Sequence, residues 1–161
     1  MTKPPSPRPL SIKVIAIWYM LVSLPAFFFL QTSNSFFGLL LTGTSVIPYN
    51  LCMALLYLVA GIGLWKLWEP ARRTAIYLQC YYALNIWLAY ANPSYRDFMA
   101  QNIIARSPNI PQSSIVSFLP FFIAFAGLLK TARTGIVLWF LIKRKSAFVK
   151  ATTPTQASTQ Q

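Results

Sequence analysis

The chain has 161 residues, room for one domain, and 56% of them are hydrophobic while only 10% are charged, against about 25% in ordinary soluble domains. Fourteen Lys and Arg face two acids, Glu69 and Asp97, for a net charge of +12; because the cations flank apolar runs, membrane topology accounts for them better than nucleic acid does. The absence of histidine removes the commonest general base and transition-metal ligand together with Ser-His and Cys-His nucleophile pairs, so no enzyme, cofactor or metal is expected.

Residues 1–9 hold four prolines, which cannot start a helix comfortably, and read as a disordered tail. The first apolar segment runs over 10–30, with Lys13 near enough to its edge to snorkel and Pro25 expected to kink it. A signal peptide competes for this segment, with Ser33-Asn34-Ser35 as a weak cleavage site. The run Val14–Leu30 is 17 residues, longer than the roughly 7–15 of a signal core, which favours a retained helix.

Residues 31–45 read as a loop whose Phe36, Phe37 and Leu39 to Leu41 can lie in the interface. A second span follows over 46–65, its 20 residues matching the ~20 needed to cross a ~30 Å core. Trp65 and Trp68 mark its exit as belt aromatics, and the basic turn 66–73 places Pro70 where the first turn of a helix tolerates it. Cys52, in this span, and Cys80, in the next, are expected to be buried, inert thiols too few for a four-ligand zinc site. Gly61 and Gly63 sit inside an apolar run rather than in a phosphate-binding loop.

The third span, 74–91, is the most polar, carrying Gln79, Asn85 and tyrosines at 77, 81, 82 and 90. Residues 92–114 form the largest loop, with a short surface helix over Tyr95–Ile104 as one option. The last segment, 115–142, has 28 residues and would be about 42 Å long. It must tilt, or its first turns must lie in the interface. Lys143-Arg144-Lys145 stops it, and the tail 151–161 reads as disordered.

Ten Lys and Arg lie on one side of these spans, at 3, 8, 13, 66, 72, 73, 143, 144, 145 and 150; Arg96 and Arg106 alone lie opposite. That asymmetry places both termini in the cytoplasm and requires an even number of spans. The expected architecture is all-α: a four-transmembrane-helix bundle over 10–150.

The stretch Gly61-Ile62-Gly63-Leu64-Trp65-Lys66-Leu67-Trp68-Glu69-Pro70-Ala71-Arg72-Arg73 resembles a segment of small, uncharacterised bacterial membrane proteins, in which a glycine-containing second helix leads into a basic Trp-containing turn ending in Ala-Arg. Leu138-Trp139-Phe140-Leu141-Ile142-Lys143-Arg144, with Phe148 beyond, resembles their closing segment. The resemblance implies a four-helix fold in a bacterial inner membrane and no activity.

Two cations lie inside the last span. If it is the 20 residues ending at Ile142, Lys130 and Arg133 fall near mid-bilayer, at about 2.5–3.5 kcal/mol each if uncompensated. Three readings stay open: an anion or lipid-headgroup site, accommodation by Gln79, Asn85, Tyr81 and other hydroxyls or by helix carbonyls, and an acid on a partner. Gly127, Thr131 and Gly135 share a face and form a candidate packing seam near Lys130. Tyr77, Tyr81 and Asn85 make a polar stripe that either lines a cavity or bonds to neighbouring helices. The leading functional expectation is a non-enzymatic accessory or assembly subunit that associates with membrane lipids and with another membrane protein or itself. The rival is a small homo-oligomeric transporter or channel with an anion-attracting path.

Overall fold

The computed structural model describes residues 9–106 and 111–152. The segments 1–8 and 153–161, where most of the two expected tails fall, lie outside the described residues. The chain is mostly helical: α1 (Leu10–Phe28), a β-hairpin of β1 (Asn34–Phe36) and β2 (Leu39–Leu41), a 3-10 turn (Gly43–Ser45), α2 (Val46–Trp65), α3 (Glu69–Ala91), α4 (Pro93–Arg106), α5 (Gln112–Lys143) and α6 (Lys145–Thr152). Three stretches are long and apolar enough to cross a membrane: Leu10–Phe28, Gly43–Trp65 and Ser113–Lys143.

Three expectations of secondary structure are corrected. The segment 31–45 is not merely a loop: β1 and β2 pair antiparallel, with Asn34 opposite Leu41 and Phe36 opposite Leu39. Its turn is Phe37-Gly38, both at positive φ (47° and 82°), the combination that matches the twist of a two-residue hairpin. The surface helix after Asn92 spans all of Pro93–Arg106. Ala151 and Thr152, expected in the tail, close α6.

The turn after α2 has a backbone cause. Trp68 N–H donates to Gly63 C=O at 2.8 Å and Leu67 N–H to Leu64 C=O at 3.1 Å, while Leu67 takes φ 59°. These are the two bonds of a Schellman motif, here with leucine in the left-handed position that glycine usually fills. The chain reverses within three residues, and α3 starts at Glu69 with Pro70 in its first turn, where a missing N–H costs nothing.

At the Trp68 end of the bundle the core gathers Ile12, Ile15, Ala16 and Tyr19 of α1, Ala60 and Leu64 of α2, Ala75 and Leu78 of α3, Leu141 of α5 and Phe148 of α6. Helix α1 packs directly on the α2 backbone: a Cβ on Gly61 would stand 3.1 Å from Ala16 O and 2.8 Å from Met20 Cγ. At the hairpin end a smaller cluster joins Ile86 and Tyr90 of α3 to Ile123 of α5. The outward surfaces of the long helices are apolar: Val14, Leu21 and Leu24 on α1, Leu55 and Val59 on α2, and Phe121, Phe125, Leu128 and Ile136 on α5 are all exposed. Cys52 and Cys80 also lie on exposed surfaces as free thiols, not buried as expected.

Candidate functional site

Helix α3 buries its two amides, and Tyr77, expected to share a polar stripe with Tyr81 and Asn85, instead lies on the exposed face. Gln79 and Asn85 are buried, whereas Tyr77, Cys80, Leu84, Trp87 and Leu88 are exposed. The spacing of three and four residues between these outward positions is that of one helical face.

Asn85 is bound to the hairpin. Its Nδ2 donates to Ser35 O at 2.8 Å and Ser35 Oγ at 3.0 Å, and its Oδ1 accepts from Gly38 N–H at 3.2 Å. Asn92 Nδ2 donates to Gly38 O at 2.8 Å. From the other side, Asn50 of α2 donates to Leu30 O and Thr32 O, both at 2.9 Å, and accepts from Asn34 Nδ2 at 2.9 Å. Asparagine amides thus satisfy Ser35 O and the N–H and C=O of Gly38 in the hairpin and two carbonyls of the segment leading into it, as buried backbone requires. Gln79 serves a different contact: its Nε2 donates to Tyr19 OH at 2.8 Å, and Tyr19 OH donates to Ala75 O at 3.0 Å, joining α1 to α3. Tyr81 OH pairs with Tyr49 OH at 2.9 Å.

The two cations of α5 part company. Lys130 is half-buried; its Nζ donates to Tyr90 OH at 3.2 Å and stands 5.7 Å from that ring. Arg133 is exposed, its Cζ 5.7 Å from the Trp18 ring and 5.0 Å from the Tyr82 ring, within cation–π range of both. Among the described residues Arg133 makes neither a hydrogen bond nor an ion pair. Neither cation hydrogen-bonds to Gln79 or Asn85: Asn85 is spent on the hairpin and Gln79 Nε2 on Tyr19, while Gln79 Oε1 is buried without a hydrogen bond among the described residues.

Two concavities result. Lys130, Asn85 and Tyr81 line a cavity of ≈ 310 Å³ beneath the hairpin, together with Tyr57, Tyr82 and Tyr95. Arg133 instead lines a groove of ≈ 600 Å³ between α1 and α5, whose other walls include Leu10, Val14, Trp18, Ile136 and Phe140. Of the expected site residues, three therefore share one cavity, Arg133 lines the other, and Gln79 lines neither.

The Gly127-Thr131-Gly135 face divides in the same way. A Cβ on Gly127 would lie 3.2 Å from the Trp87 ring, and Thr131 Oγ1 accepts from Trp87 Nε1 at 3.0 Å while donating to Gly127 O at 2.8 Å. Gly135 has open space where a side chain would go, with nothing within 4 Å among the described residues. The sequence reading did not single out Asn34, Asn50 or Asn92 as hairpin clamps, nor Tyr49, Tyr57 or Tyr95. The available signal was that Asn50 interrupts and Asn92 ends an apolar run, where an amide needs a partner; Asn34, within the polar stretch 31–35, carried no such signal.

A separate charged unit sits in the 66–73 turn. Glu69 accepts from Arg72 Nε at 2.7 Å and Nη2 at 2.6 Å, and from Arg73 Nε at 3.2 Å. Arg72 Nη1 also donates to Leu141 O at 3.3 Å, tying the start of α3 to the end of α5. The Arg72 hydrogen bonds, and then the one from Arg73, hold the Glu69 carboxyl down at about 2, and Glu69 raises Arg72 in return. No group of three or more His, Cys, Asp or Glu stands together among the described residues.

Three long apolar helices with lipid-like outward faces fit a multi-pass membrane protein. No protein-family model, curated protein or solved structure matches the chain.

Proposed function

We propose that this chain is a non-enzymatic accessory or assembly subunit of a membrane complex, built as a four-span bundle with both termini cytoplasmic. The bacterial inner membrane, which the sequence resemblance implies, is part of the same proposal. In it α3 is the fourth span: Asn85 is matched by the hairpin and Gln79 Nε2 by Tyr19, and its exposed face offers lipid Tyr77, Cys80, Leu84 and Trp87. Averaged along the sequence α3 is polar, but lipid meets only the outward face.

The observation that carries the role is Arg133. It precedes Lys143, the end of α5, by ten residues, about 15 Å along the helix and so near the middle of a ~30 Å core. A guanidinium there has five donors and meets aromatic faces alone among the described residues. Such a group in lipid calls for a carboxylate. The chain's two acids are Glu69, engaged at the start of α3, and Asp97 in α4. Neither lies in a span, so a second copy does not bring an acid to this depth. The α1–α5 groove therefore seats a transmembrane helix of a different protein carrying Asp or Glu, a choice made by charge complementarity with Arg133.

The test is purification from native membranes of wild type and Arg133→Leu, with cross-linking from a cysteine at Val14 or Ile136 in the groove. The expected result is a stoichiometric partner with an acid in a hydrophobic segment, cross-linked at the groove and lost on Arg133→Leu. Recovery of wild type as a homo-oligomer without such a partner would contradict this role and favour the channel reading.

A further inference from the structure

The cavity beneath the hairpin is distinct from the Arg133 groove and has its own chemistry. Its asparagines are spent: Asn34 and Asn50 bond to each other, Asn50 bonds also to Leu30 and Thr32, and Asn85 bonds to the hairpin. The polar capacity left in its walls belongs to the Lys130 ammonium, to the hydroxyls of Tyr57, Tyr82 and Tyr95, which make no hydrogen bond among the described residues, and to the Tyr49–Tyr81 pair. Lys130 uses one of its three donors on Tyr90. No acid lines the cavity.

From this geometry we infer that the cavity is a binding site for a carboxylate-bearing monoanion, its oxygens accepting from Lys130 and the surrounding tyrosine hydroxyls. One ammonium surrounded by neutral O–H donors suits a single negative charge. A phosphate dianion is more often matched by several cations or the fork of an arginine. A volume of ≈ 310 Å³ lies at the small end of ligand pockets, fitting a carboxyl group with a short apolar portion rather than a whole phospholipid. Val22, Ala26 and Met53 in the same wall give the apolar portion a place to lie. The ligand's source is either the carboxyl end of a fatty acid from the leaflet or a small organic acid from water.

The experiment uses the full-length protein in a non-ionic detergent, with oleate, benzoate and the neutral ester methyl oleate as probes. Binding is read by calorimetry and by the shift in melting temperature. At least one carboxylate is expected to bind and raise the melting temperature while methyl oleate does not. Lys130→Met should weaken that binding by about tenfold or more, the scale of a charge-assisted hydrogen bond, and Lys130→Arg should retain most of it. Binding of oleate alone assigns a membrane source, and binding of benzoate assigns an aqueous one; both support the site. No binding of either acid to wild type, equal binding of the ester, or unchanged affinity in Lys130→Met overturns it. Should Lys130→Met fail to fold, the near-isosteric Tyr57→Phe/Tyr82→Phe double variant decides: a loss of several-fold supports the site and unchanged affinity overturns it. Arg133 takes no part in these measurements, so this inference and the partner proposal fail independently.

Discussion

Lys130 and Arg133 stand three residues apart on α5 yet meet different surroundings, one a tyrosine hydroxyl over a cavity and the other two ring faces at a groove. At about 100° per residue, a three-residue step swings a side chain some 60° around the helix, enough to separate inside from groove. A charge in an apolar run marked both residues in the sequence, because lipid makes such a charge costly wherever it points. Their partners were hidden, since Tyr90, Trp18 and Tyr82 are aromatics like many others in this chain. Glu69 gives the sharpest prediction at this scale. Its carboxyl is held at about 2 against an ordinary 4.5, so it stabilises the fold above the ordinary value, and that contribution is lost as pH falls through about 2. Glu69→Gln should destabilise at neutral pH by about 1–3 kcal/mol, because it leaves the guanidinium of Arg72, which is mostly buried, without its anion. It should also flatten the acid limb of stability below the ordinary carboxyl range. Thermal unfolding in detergent across pH checks both effects; a variant with the wild-type profile would show the ion pair to be inert.

Among the elements, the helices were largely readable and the hairpin was not. Runs of about twenty apolar residues announce themselves by length, and the bounds of α2 coincide with the expected 46–65. The hairpin has three-residue strands, too short for a period-2 pattern, and its Phe37-Gly38 turn lacks the Asn-Gly or Asp-Gly signal. What fixes it is long-range: Asn85 of α3, fifty positions after Ser35, and Asn92, just past the end of α3, supply its hydrogen bonds. Gly38 is the point of closest approach, since a Cβ there would stand 2.8 Å from Leu88 O at a φ of +82°. Gly38→Ala should therefore cost about 1–3 kcal/mol through strain and clash together, checked by melting temperature and by faster proteolysis of the hairpin; unaltered melting would mean the hairpin is loosely held. The α3–α5 contact invites a second substitution. Thr131→Leu removes the acceptor of Trp87 Nε1 and crowds the ring that packs on Gly127. A loss of about 0.6–1.7 kcal/mol is expected, measured as a lower melting temperature, and an unchanged value would count against this packing. Gly135→Ala, facing open space, should be silent in the isolated protein.

For the whole molecule, the distribution of cations bears on the lipid boundary as well as on orientation. Lys66 lies 5.1 Å from the Trp68 ring and Lys143 lies 4.4 Å from the Trp139 ring, pairing basic and aromatic groups at the Trp68 end, as interfaces favour. Composition and charge alone pointed to a membrane bundle. Whether α3 crosses was harder to read, because hydropathy averaged along the sequence mixes Gln79 and Asn85, which face protein, with Leu84 and Trp87, which face outward. The four-span arrangement is the claim on which the depth of Arg133 and Lys130 rests, and its most direct test is cysteine labelling. In a background of Cys52→Ala and Cys80→Ala, single cysteines are placed at Thr44, Ser94 and Ser146, all exposed, and intact cells or spheroplasts are treated with a membrane-impermeant maleimide. Labelling at Thr44→Cys and Ser94→Cys, with Ser146→Cys protected until the membrane is opened, is the expected result. Labelling at Ser146→Cys with protection at Ser94→Cys would contradict it: a labelled Thr44→Cys would then mean that α3 does not cross, and a protected Thr44→Cys that the whole bundle is inverted.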